Sequence, residues 1–389
     1  MERVYLDYSA TTPVKQEVLD AMIPFYKEFY GNPSSLYTQG LEAKEAVDEA
    51  RKNVASLINC KPDEITFTSC GTESDNWVLF EVARANKKKG NHIITTEIEH
   101  HAILHSCEKL EKEGFEITYL SVDKDGLVSP DDLERAIKDT TILISVMAVN
   151  NEIGTIEPIK ELAQIAKKHK ILFHTDAVQA VGNIPIDVNE LGVDMLSMSA
   201  HKIYGPKGIG ALYIRKGVRF PSFINGGAQE AGKRAGTENV AEMAGFGKAA
   251  LLAKENLESH MLHSKTLRDK LCEKVLERIP NVTVNGTMEK RHPGNLNLTF
   301  EYIEGESILL LLDSYGIAVS TGSACSSKSL KPSHVLHALG VPDELIHGTV
   351  RFTVGDFTTD EDIDYAVDCL EKVVSRLREI SSVNSEKGW

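Results

Sequence analysis

The sequence lacks the signals that mark zinc-binding, secreted and membrane proteins. Its six cysteines form no CxxC pair, which argues against a zinc ribbon, a thioredoxin-type site or a dedicated cluster motif and favours reduced thiols in a cytoplasmic protein. No apolar run is long enough to span a bilayer, and the first residues lack the features of a signal peptide. A net charge of −14 without a basic run disfavours binding to nucleic acid or to anionic membranes.

The chain does have the length and apolar content for two domains that share a cleft, since 42% of its 389 residues are hydrophobic. Short apolar strands alternate with helices as far as Val240, and this alternation predicts a largely parallel sheet covered by helices on both faces. The predicted strands are 65–68, 93–96, 117–122, 142–149, 171–175, 195–199 and 211–214, and the clearest helices are 41–58, 71–85 and 158–169.

The pattern changes near Val240. From there to residue 279 the chain has no proline and few glycines, which predicts a long helix or a helix pair that leaves the first domain. The remainder mixes strands with helices and predicts a smaller α+β domain. Its predicted strands are 295–301 and 349–354, and its predicted helices are 305–315 and 360–380.

Two functional side chains follow two of the predicted strands. Asp176 comes directly after strand 171–175, and Lys202 follows strand 195–199. Ligands of α/β sheets bind in the crevice at the carboxyl ends of the strands. An acid that keeps a pyridine nitrogen protonated and an amine that holds an aldehyde as a Schiff base are what pyridoxal phosphate needs. We therefore favour this cofactor over a solvated Asp and Lys on unrelated loops.

A phosphate site is indicated where a predicted strand turns into a helix at Gly71 and Thr72. Backbone amides and a small hydroxyl at a helix start can bind a phosphate. Taken alone, this motif is more typical of an ordinary helix N-cap. Ser199 and His201 supply further donors beside Lys202, and the combination favours the phosphate site.

Two more side chains are candidates for contact with the ring of the cofactor. Gln179, three residues after Asp176, can donate to the ring hydroxyl, and His100, at the start of a predicted helix, can stack on the ring and carry protons. A metal site is the alternative, because His101 and His105 share a helix face at i, i+4 spacing. The HExxH glutamate is absent and no third ligand is evident, so the metal ranks below the cofactor.

Cys325 lies in a stretch of small polar residues, 320–329. Most lone cysteines are small buried hydrophobes. This stretch has no apolar periodicity, however, and we expect an exposed, reactive thiol on a loop.

Nine motifs occur together along nearly the whole chain: YLDYSATT at 5–12, GNPSS at 31–35, TES at 72–74, EH at 99–100, NNEIG at 150–154, DAVQ at 176–179, SAHK at 199–202, RAGTEN at 234–239 and GSAC at 322–325. Through them the chain resembles the cysteine desulfurases of the NifS/IscS type, within class V of the fold-type I pyridoxal phosphate enzymes. The resemblance implies a large domain, 15–258, with a mainly parallel seven-stranded sheet. It also implies a smaller α+β domain, made of 1–14 and 259–389, that carries the catalytic cysteine on a loop at about 320–334.

The resemblance further implies the composition of the cofactor site. In a homodimer, Thr237 of the neighbouring subunit would join the phosphate donors. The cofactor would be bound by Gly71, Thr72, His100, Asn151, Asp176, Gln179, Ser199, His201, Lys202 and Thr237.

For the reaction, the resemblance implies that Cys325, Lys202 and His100 are catalytic and that Asn151 and Arg351 position the substrate carboxylate, a task that suits a guanidinium fork. L-Cysteine would give L-alanine and a persulfide on Cys325. An acceptor or scaffold protein of the IscU/NifU type would then take the sulfur for iron–sulfur cluster, thio-cofactor or tRNA biosynthesis.

The chain departs from the commonest pattern of these enzymes at three positions. Tyr37 stands where many relatives have histidine, Ala231 where an arginine is usual, and Ser9 where alanine or asparagine is usual. These departures concern the cleft mouth, substrate preference and partner docking. The alternative functions are a selenocysteine lyase, another class V aminotransferase, or a non-catalytic scaffold on the same fold.

Overall fold

The computed structural model describes residues 3–321 and 332–381. The strands are β1 Val4–Tyr5, β2 Ile65–Thr68, β3 His92–Thr96, β4 Glu116–Leu120, β5 Thr141–Ser145, β6 Leu172–Asp176, β7 Met195–Ser199, β8 Gly210–Ile214, β9 Val282–Val284, β10 Asn295–Phe300, β11 Ile317–Ala318 and β12 Thr349–Thr353. The helices are α1 Gln16–Met22, α2 Pro24–Lys27, α3 Thr38–Leu57, α4 Gly71–Trp77, α5 Ala83–Asn86, α6 His101–Lys112, α7 Pro130–Ala136, α8 Ile159–Lys168, α9 Val188–Leu191, α10 Val240–Glu255, α11 Leu257–Arg278, α12 Gly305–Ser314, α13 His334–Ala338, α14 Asp343–Ile346 and α15 Asp360–Ile380.

The largest sheet has seven strands in the order β2-β8-β7-β6-β5-β3-β4. Strand β8 runs antiparallel to both of its neighbours, and every other adjacent pair is parallel. The mainly parallel seven-stranded sheet is therefore confirmed. Because six strands share one direction, the loops that follow them meet at one edge of the sheet.

Alternate residues of the central strands pack on opposite faces of this sheet. In β7, Leu196 belongs to the core cluster under α3, α8 and α10, whereas Met195 belongs to the cluster with Trp77 of α4. The same two-residue period separates Ile144 from Leu143 in β5. Both faces of the sheet are therefore buried, as the apolar strand sequences predict.

The later part of the chain forms its own core around an antiparallel three-stranded sheet, β12-β10-β9. Helices α11 and α15 pack together beside it, and α15 begins with a capping box between Thr359 and Asp362. The N-terminal strand β1 joins this part by pairing in parallel with β11. The predicted helix pair is present as α10 and α11, while the exact domain boundaries stay a prediction.

Most predicted strand boundaries agree with the observed ones to within one residue, but two predicted strands extend further than the observed strands. The predicted strand 142–149 ends at Ser145, and 117–122 ends at Leu120. Residues 146–149 are apolar and buried, which the sequence pattern could not separate from strand, but Val149 pairs only with Ile156 in an isolated bridge. In 3–321 and 332–381, no helix is both long and apolar enough to cross a membrane.

Candidate active site

Loops after the parallel strands enclose a cavity of about 220 Å³ at the edge of the large sheet. A smaller cavity of about 100 Å³ adjoins it, shares His100 and Lys202 with it, and is also lined by Arg351. Nine residues of the predicted cofactor site line the larger cavity, namely Gly71, Thr72, His100, Asn151, Asp176, Gln179, Ser199, His201 and Lys202. The fold therefore brings together residues that lie as far apart in the sequence as Gly71 and Lys202.

Asp176 and Lys202 lie in this cavity at the ends of two adjacent strands. Lys202 follows β7, and its Nζ donates hydrogen bonds to the carbonyl oxygens of Ser9 and Ala10, the latter at 2.9 Å. Asp176 ends β6, and its Oδ1 accepts a hydrogen bond from Val178 N at 2.9 Å. Burial raises the pKa of Asp176 to about 6, although the Val178 amide and the Lys202 charge act in the opposite direction.

Behind Asp176 lies a buried polar cluster. His174 contacts the hydroxyl of Ser145 through Nδ1 at 2.9 Å and that of Ser197 through Nε2 at 3.0 Å, and burial lowers its pKa to about 3. Asp75 is 1% exposed, with Oδ1 at 3.7 Å from His174 Nε2. Burial, and then the negative charge of Asp176, raise the pKa of Asp75 well above its ordinary value. Burial therefore favours the uncharged forms of both His174 and Asp75 behind Asp176.

His100 is the N-cap of α6, and its Nδ1 accepts a hydrogen bond from Ala102 N at 3.2 Å. Burial, followed by the charge of Lys202 and three nearby histidines, lowers the pKa of His100 to about 4. The ring is therefore neutral at pH 7. Because Nδ1 accepts, the proton of the neutral ring lies on Nε2.

The residues at the start of α4 suit a phosphate group. A Cβ added to Gly71 would lie 2.5 Å from Val178 Cγ2, so glycine is required for this close approach. Within the described residues, the buried Oγ of Ser199 has no hydrogen-bond partner. Backbone amides at a helix start and a hydroxyl that lacks a partner are the donors that a phosphate would satisfy.

Arg351 lies on β12 and reaches the smaller cavity from the other sheet. It is 2% exposed, its Nη2 pairs with Asp7 Oδ1 at 2.8 Å, and its Nη1 donates to the carbonyl oxygen of Asn151 at 2.8 Å. Gln179 lines both cavities, and its Nε2 donates to Ser9 O at 3.0 Å. The arrangement places a fixed positive charge beside the cavity that contains Lys202.

One predicted site residue lies away from both cavities, and another is not among the described residues. Thr237 is exposed and lines neither cavity of its own chain, and Cys325 lies outside the described residues. The rings of His101 and His105 are 5.0 Å apart. Among residues 3–321 and 332–381, however, no group of three or more metal-ligating side chains is placed to hold an ion.

The sequence analysis assigned no role to several buried acids around the cavities. Glu99 is fully buried and accepts hydrogen bonds from Thr96 Oγ1 at 2.8 Å and Met147 N at 2.9 Å. Glu152 accepts from Ser333 Oγ at 2.5 Å and so joins the loop after β5 to the start of α13. Asp7 and Glu152 lie inside two of the motifs through which the chain resembles the cysteine desulfurases, and these motifs could have identified them. Asp75 lies in the sequence of helix α4, outside those motifs.

The three departures from the common pattern occupy different environments. Ser9 is buried, and its backbone carbonyl accepts from both Lys202 and Gln179, a contact that is independent of its side chain. Tyr37 is exposed at the N-cap of α3. Ala231 has a left-handed backbone with φ of 56°.

Known proteins are similar to this chain over nearly its whole length. A family model described as Aminotransferase class-V matches residues 4–366. The cysteine desulfurase IscS of Dictyoglomus turgidum is 57% identical over 383 residues, which cover 98% of this chain and 97% of that protein. The mitochondrial cysteine desulfurase of Saccharomyces cerevisiae is 51% identical and covers 97% of this chain and 76% of its own length.

A solved structure of a NifS-like protein superposes with a TM-score of 0.92 at 41% identity, covering 97% of this chain and 100% of that chain. The predicted fold-type I architecture is therefore confirmed. Because these matches extend over nearly the full length, the chain belongs to the class V aminotransferase family, among its cysteine desulfurases, which are pyridoxal phosphate enzymes.

Proposed function

We propose that this protein binds pyridoxal phosphate and removes sulfur from L-cysteine, releasing L-alanine and leaving a persulfide on Cys325. The observation that carries the proposal is the placement of Lys202 and Asp176 in one cavity and of Arg351 in the adjoining one. An amino acid needs this combination, since its amino group must reach the lysine site while its carboxylate meets a cation.

The cofactor part of the proposal assigns one task to each group. Lys202 would bind the aldehyde, Asp176 would pair with the ring nitrogen, and Gln179 would donate to the ring hydroxyl. The phosphate is bound by donors at Gly71, Thr72, Ser199 and His201. When bound, pyridoxal phosphate supplies an electron sink for bonds at the substrate Cα.

Proton transfer is assigned to His100 and Lys202. The low pKa of His100, about 4, leaves its ring uncharged at pH 7, so that it can stack on the cofactor ring without placing a second cation beside Lys202. Because Nδ1 is engaged by Ala102 N, the Nε2 proton remains available to a group in the cavities that His100 lines. A neutral imidazole in this position can relay a proton between the substrate and Lys202 Nζ.

Substrate recognition is assigned to Arg351 and Asn151. The contacts of Arg351 with Asp7 and with the Asn151 carbonyl fix the plane of the guanidinium. A fixed guanidinium plane favours a planar carboxylate over other anions.

Sulfur transfer is assigned to the Cys325 thiolate, the nucleophilic form of a cysteine. The thiolate attacks the substrate sulfur, and the electron pair of the Cβ–S bond stays with carbon. Carbon then takes up a proton, which gives the methyl group of alanine, while a persulfide remains on Cys325. Atoms and electrons balance without an external oxidant or reductant.

We also propose a homodimer and an acceptor or scaffold protein of the IscU/NifU type. Large apolar side chains are exposed close together in sequence, as expected of a surface that a second copy covers. They include Leu19, Ile23, Tyr26, Tyr30, Leu36 and Tyr37. A cytoplasmic location belongs to the same proposal and is supported by the free thiols of the five described cysteines.

The proposal is tested by measuring alanine and sulfide from cysteine with the holoenzyme and its Cys325→Ala variant. The assay contains an excess of a thiol reductant, which reduces the persulfide on Cys325 and releases its outer sulfur as sulfide. We then expect equal amounts of both products from the parent, and loss of turnover in the variant with its cofactor absorbance retained. Full turnover by Cys325→Ala would reject the desulfurase and favour another class V enzyme. Selenocysteine is tested in parallel as a substrate. If the Cys325→Ala variant acts on selenocysteine better than on cysteine, the protein is a selenocysteine lyase.

A further inference from the structure

Residues 229–237, which we call the Thr237 arm, hold an unusual backbone. Glu230, Ala231 and Gly232 follow one another in the left-handed region, with φ of 50°, 56° and 78°. Two of these three residues have a side chain, for which this conformation is unfavourable. Such a backbone persists only where the surroundings fix it, and it is commonest at functional sites.

Glu230 anchors the root of the arm. The residue is buried, with 8% of its surface exposed, and its carboxylate accepts two hydrogen bonds of 2.7 Å from Arg51 of α3. It also accepts from Phe67 N of β2 at 2.9 Å, and the Arg51 guanidinium lies 4.8 Å from the centre of the Phe67 ring. The root is therefore attached to α3 by a bidentate ion pair and to β2 of the large sheet by the hydrogen bond from Phe67 N.

Arg234 attaches the outer part of the arm to the turn that begins α4. Its Nε contacts Glu73 Oε1 at 3.0 Å and its Nη2 contacts Glu73 Oε2 at 3.3 Å. Glu73 also accepts from Ser69 N at 2.8 Å. Burial would raise the pKa of Glu73, but the bonds from Arg234 and Ser69 outweigh it and lower the pKa. This carboxylate directly follows Thr72, in the turn assigned to the cofactor phosphate.

Thr237 lies three residues beyond Arg234, is exposed, and lines neither cavity of its own chain. We propose that Arg234 is a positioning residue that couples the two cofactor sites of the dimer. Through Glu73 it ties the phosphate turn of its own subunit to the arm that presents Thr237 to the cofactor phosphate of the other subunit. This inference rests on the proposed homodimer and on the role that the family resemblance implies for Thr237 as a phosphate donor to the neighbouring subunit.

The first test titrates apoprotein with pyridoxal phosphate and follows the absorbance of the lysine adduct. We expect Arg234→Gln to raise the apparent Kd about tenfold, as loss of one charge-assisted contact implies. Thr237→Ala should have a similar effect, and the double variant should be no weaker than either single variant, because both changes remove the same contact. Arg84→Gln, which breaks a surface pair with Glu113 at 3.0 Å, is the matched control and should leave Kd unchanged.

Mixed dimers show whether the effect crosses the subunit interface. One subunit carries Lys202→Ala and gives no absorbance of the lysine adduct; we call it the silent subunit. The other subunit is wild type, so that the absorbance reports only on its cofactor site. Adding Arg234→Gln to the silent subunit should weaken cofactor binding at the reporting site about tenfold. An unchanged Kd at the reporting site would overturn the coupling.

The outcomes separate this inference from the proposed function. If Thr237→Ala leaves Kd unchanged, the proposed role of Thr237 fails, and the coupling fails with it. If Thr237→Ala weakens binding and Arg234→Gln does not, only the coupling fails. Thermal unfolding of the apoprotein accompanies each titration. Should Arg234→Gln fold poorly, Arg234→Lys keeps the charge but loses the fork, and it should show a smaller rise of Kd in the same direction.

Discussion

Asp176 and Lys202 follow neighbouring strands of the seven-stranded sheet, whereas Arg351 lies on the separate three-stranded sheet and reaches the cavity from the other side. We call the first region the floor of the site and the second its wall. The floor is assembled within one sheet. The wall depends on packing between distant parts of the chain, since Arg351 and its partner Asp7 are 344 residues apart.

The two regions also handle charge differently. In the floor, burial favours the uncharged forms: it raises the pKa of Asp176 to about 6 and lowers the pKa of His100 to about 4. In the wall, the guanidinium of the buried Arg351 forms an ion pair with the carboxylate of Asp7 at 2.8 Å. The difference indicates that the floor is prepared for proton transfer and for a cofactor that brings its own charge, while the wall provides a permanent cation for the substrate.

Lys202→Ala breaks the floor and should have the largest effect. We expect at least about a thousandfold loss of turnover, because no other amine in the floor can bind the aldehyde. The characteristic absorbance of the lysine adduct should disappear. Lys207→Ala, in an exposed turn outside both cavities, is the control. Normal absorbance in Lys202→Ala would contradict the assignment.

Arg351→Lys breaks the wall and leaves the floor intact. The variant keeps a positive charge but loses the fork, so we expect kcat/KM for cysteine to fall about a hundredfold, mainly through KM. The Kd of pyridoxal phosphate should stay within about twofold of the parent value, since Arg351 does not line the larger cavity. An equal loss of cofactor affinity would show that floor and wall are not separable.

Asp176→Asn should show how much the buried carboxylate of the floor lowers the free energy of unfolding of the apoprotein. The folded state raises the pKa of this carboxyl from 3.8 to about 6, so protonation contributes stability that is fully present below pH 3.8 and is lost as the pH rises through about 6. Asparagine cannot ionise, and at pH 7 the variant apoprotein should be more stable by on the order of 3 kcal/mol. Its enzymatic activity should nevertheless fall.

Urea denaturation of both apoproteins between pH 4 and pH 7 measures this difference. The stability gap should widen as the pH rises and should be smallest at pH 4. A gap that stays constant with pH would contradict the proposed burial effect.

Ser333→Ala tests the junction between floor and wall and should have the smallest effect. Ser333 caps α13 through Leu336 N and donates to Glu152. Losing these contacts should lower the free energy of unfolding by about 1–2 kcal/mol. Ser259→Ala, whose hydroxyl bonds only locally to Asn256 O on the exposed side of α11, should change stability by less. Equal effects of the two substitutions would argue against a junction at Ser333.

The floor could be predicted from the sequence more fully than the wall. Strand 195–199 and helix 360–380 were predicted with their observed bounds, because apolar periodicity and chain breaks determine both. The rule that ligands lie at strand ends then placed Asp176 and Lys202 in one crevice. These signals are local, and a sequence displays them directly.

The remaining features depend on contacts that no local pattern encodes. The short strands β9 and β11 have too few residues to show a period of two. The pairing of Arg351 with Asp7 joins residues that are 344 positions apart in the sequence. The burial of Asp75 and Glu99, which are charged residue types, arises only once the sheet and its helices have packed. Arg351 itself was identified through the family resemblance rather than from its neighbours in sequence.

The most direct test of the central claim is intact-mass analysis after the holoenzyme has reacted with a limited amount of L-cysteine. The account predicts one additional sulfur on the parent chain, mapped to Cys325 and removed by a reducing agent, and no additional sulfur on Lys202→Ala. Alanine formation without sulfur on Cys325, or sulfur mapped to one of the other five cysteines, would contradict it.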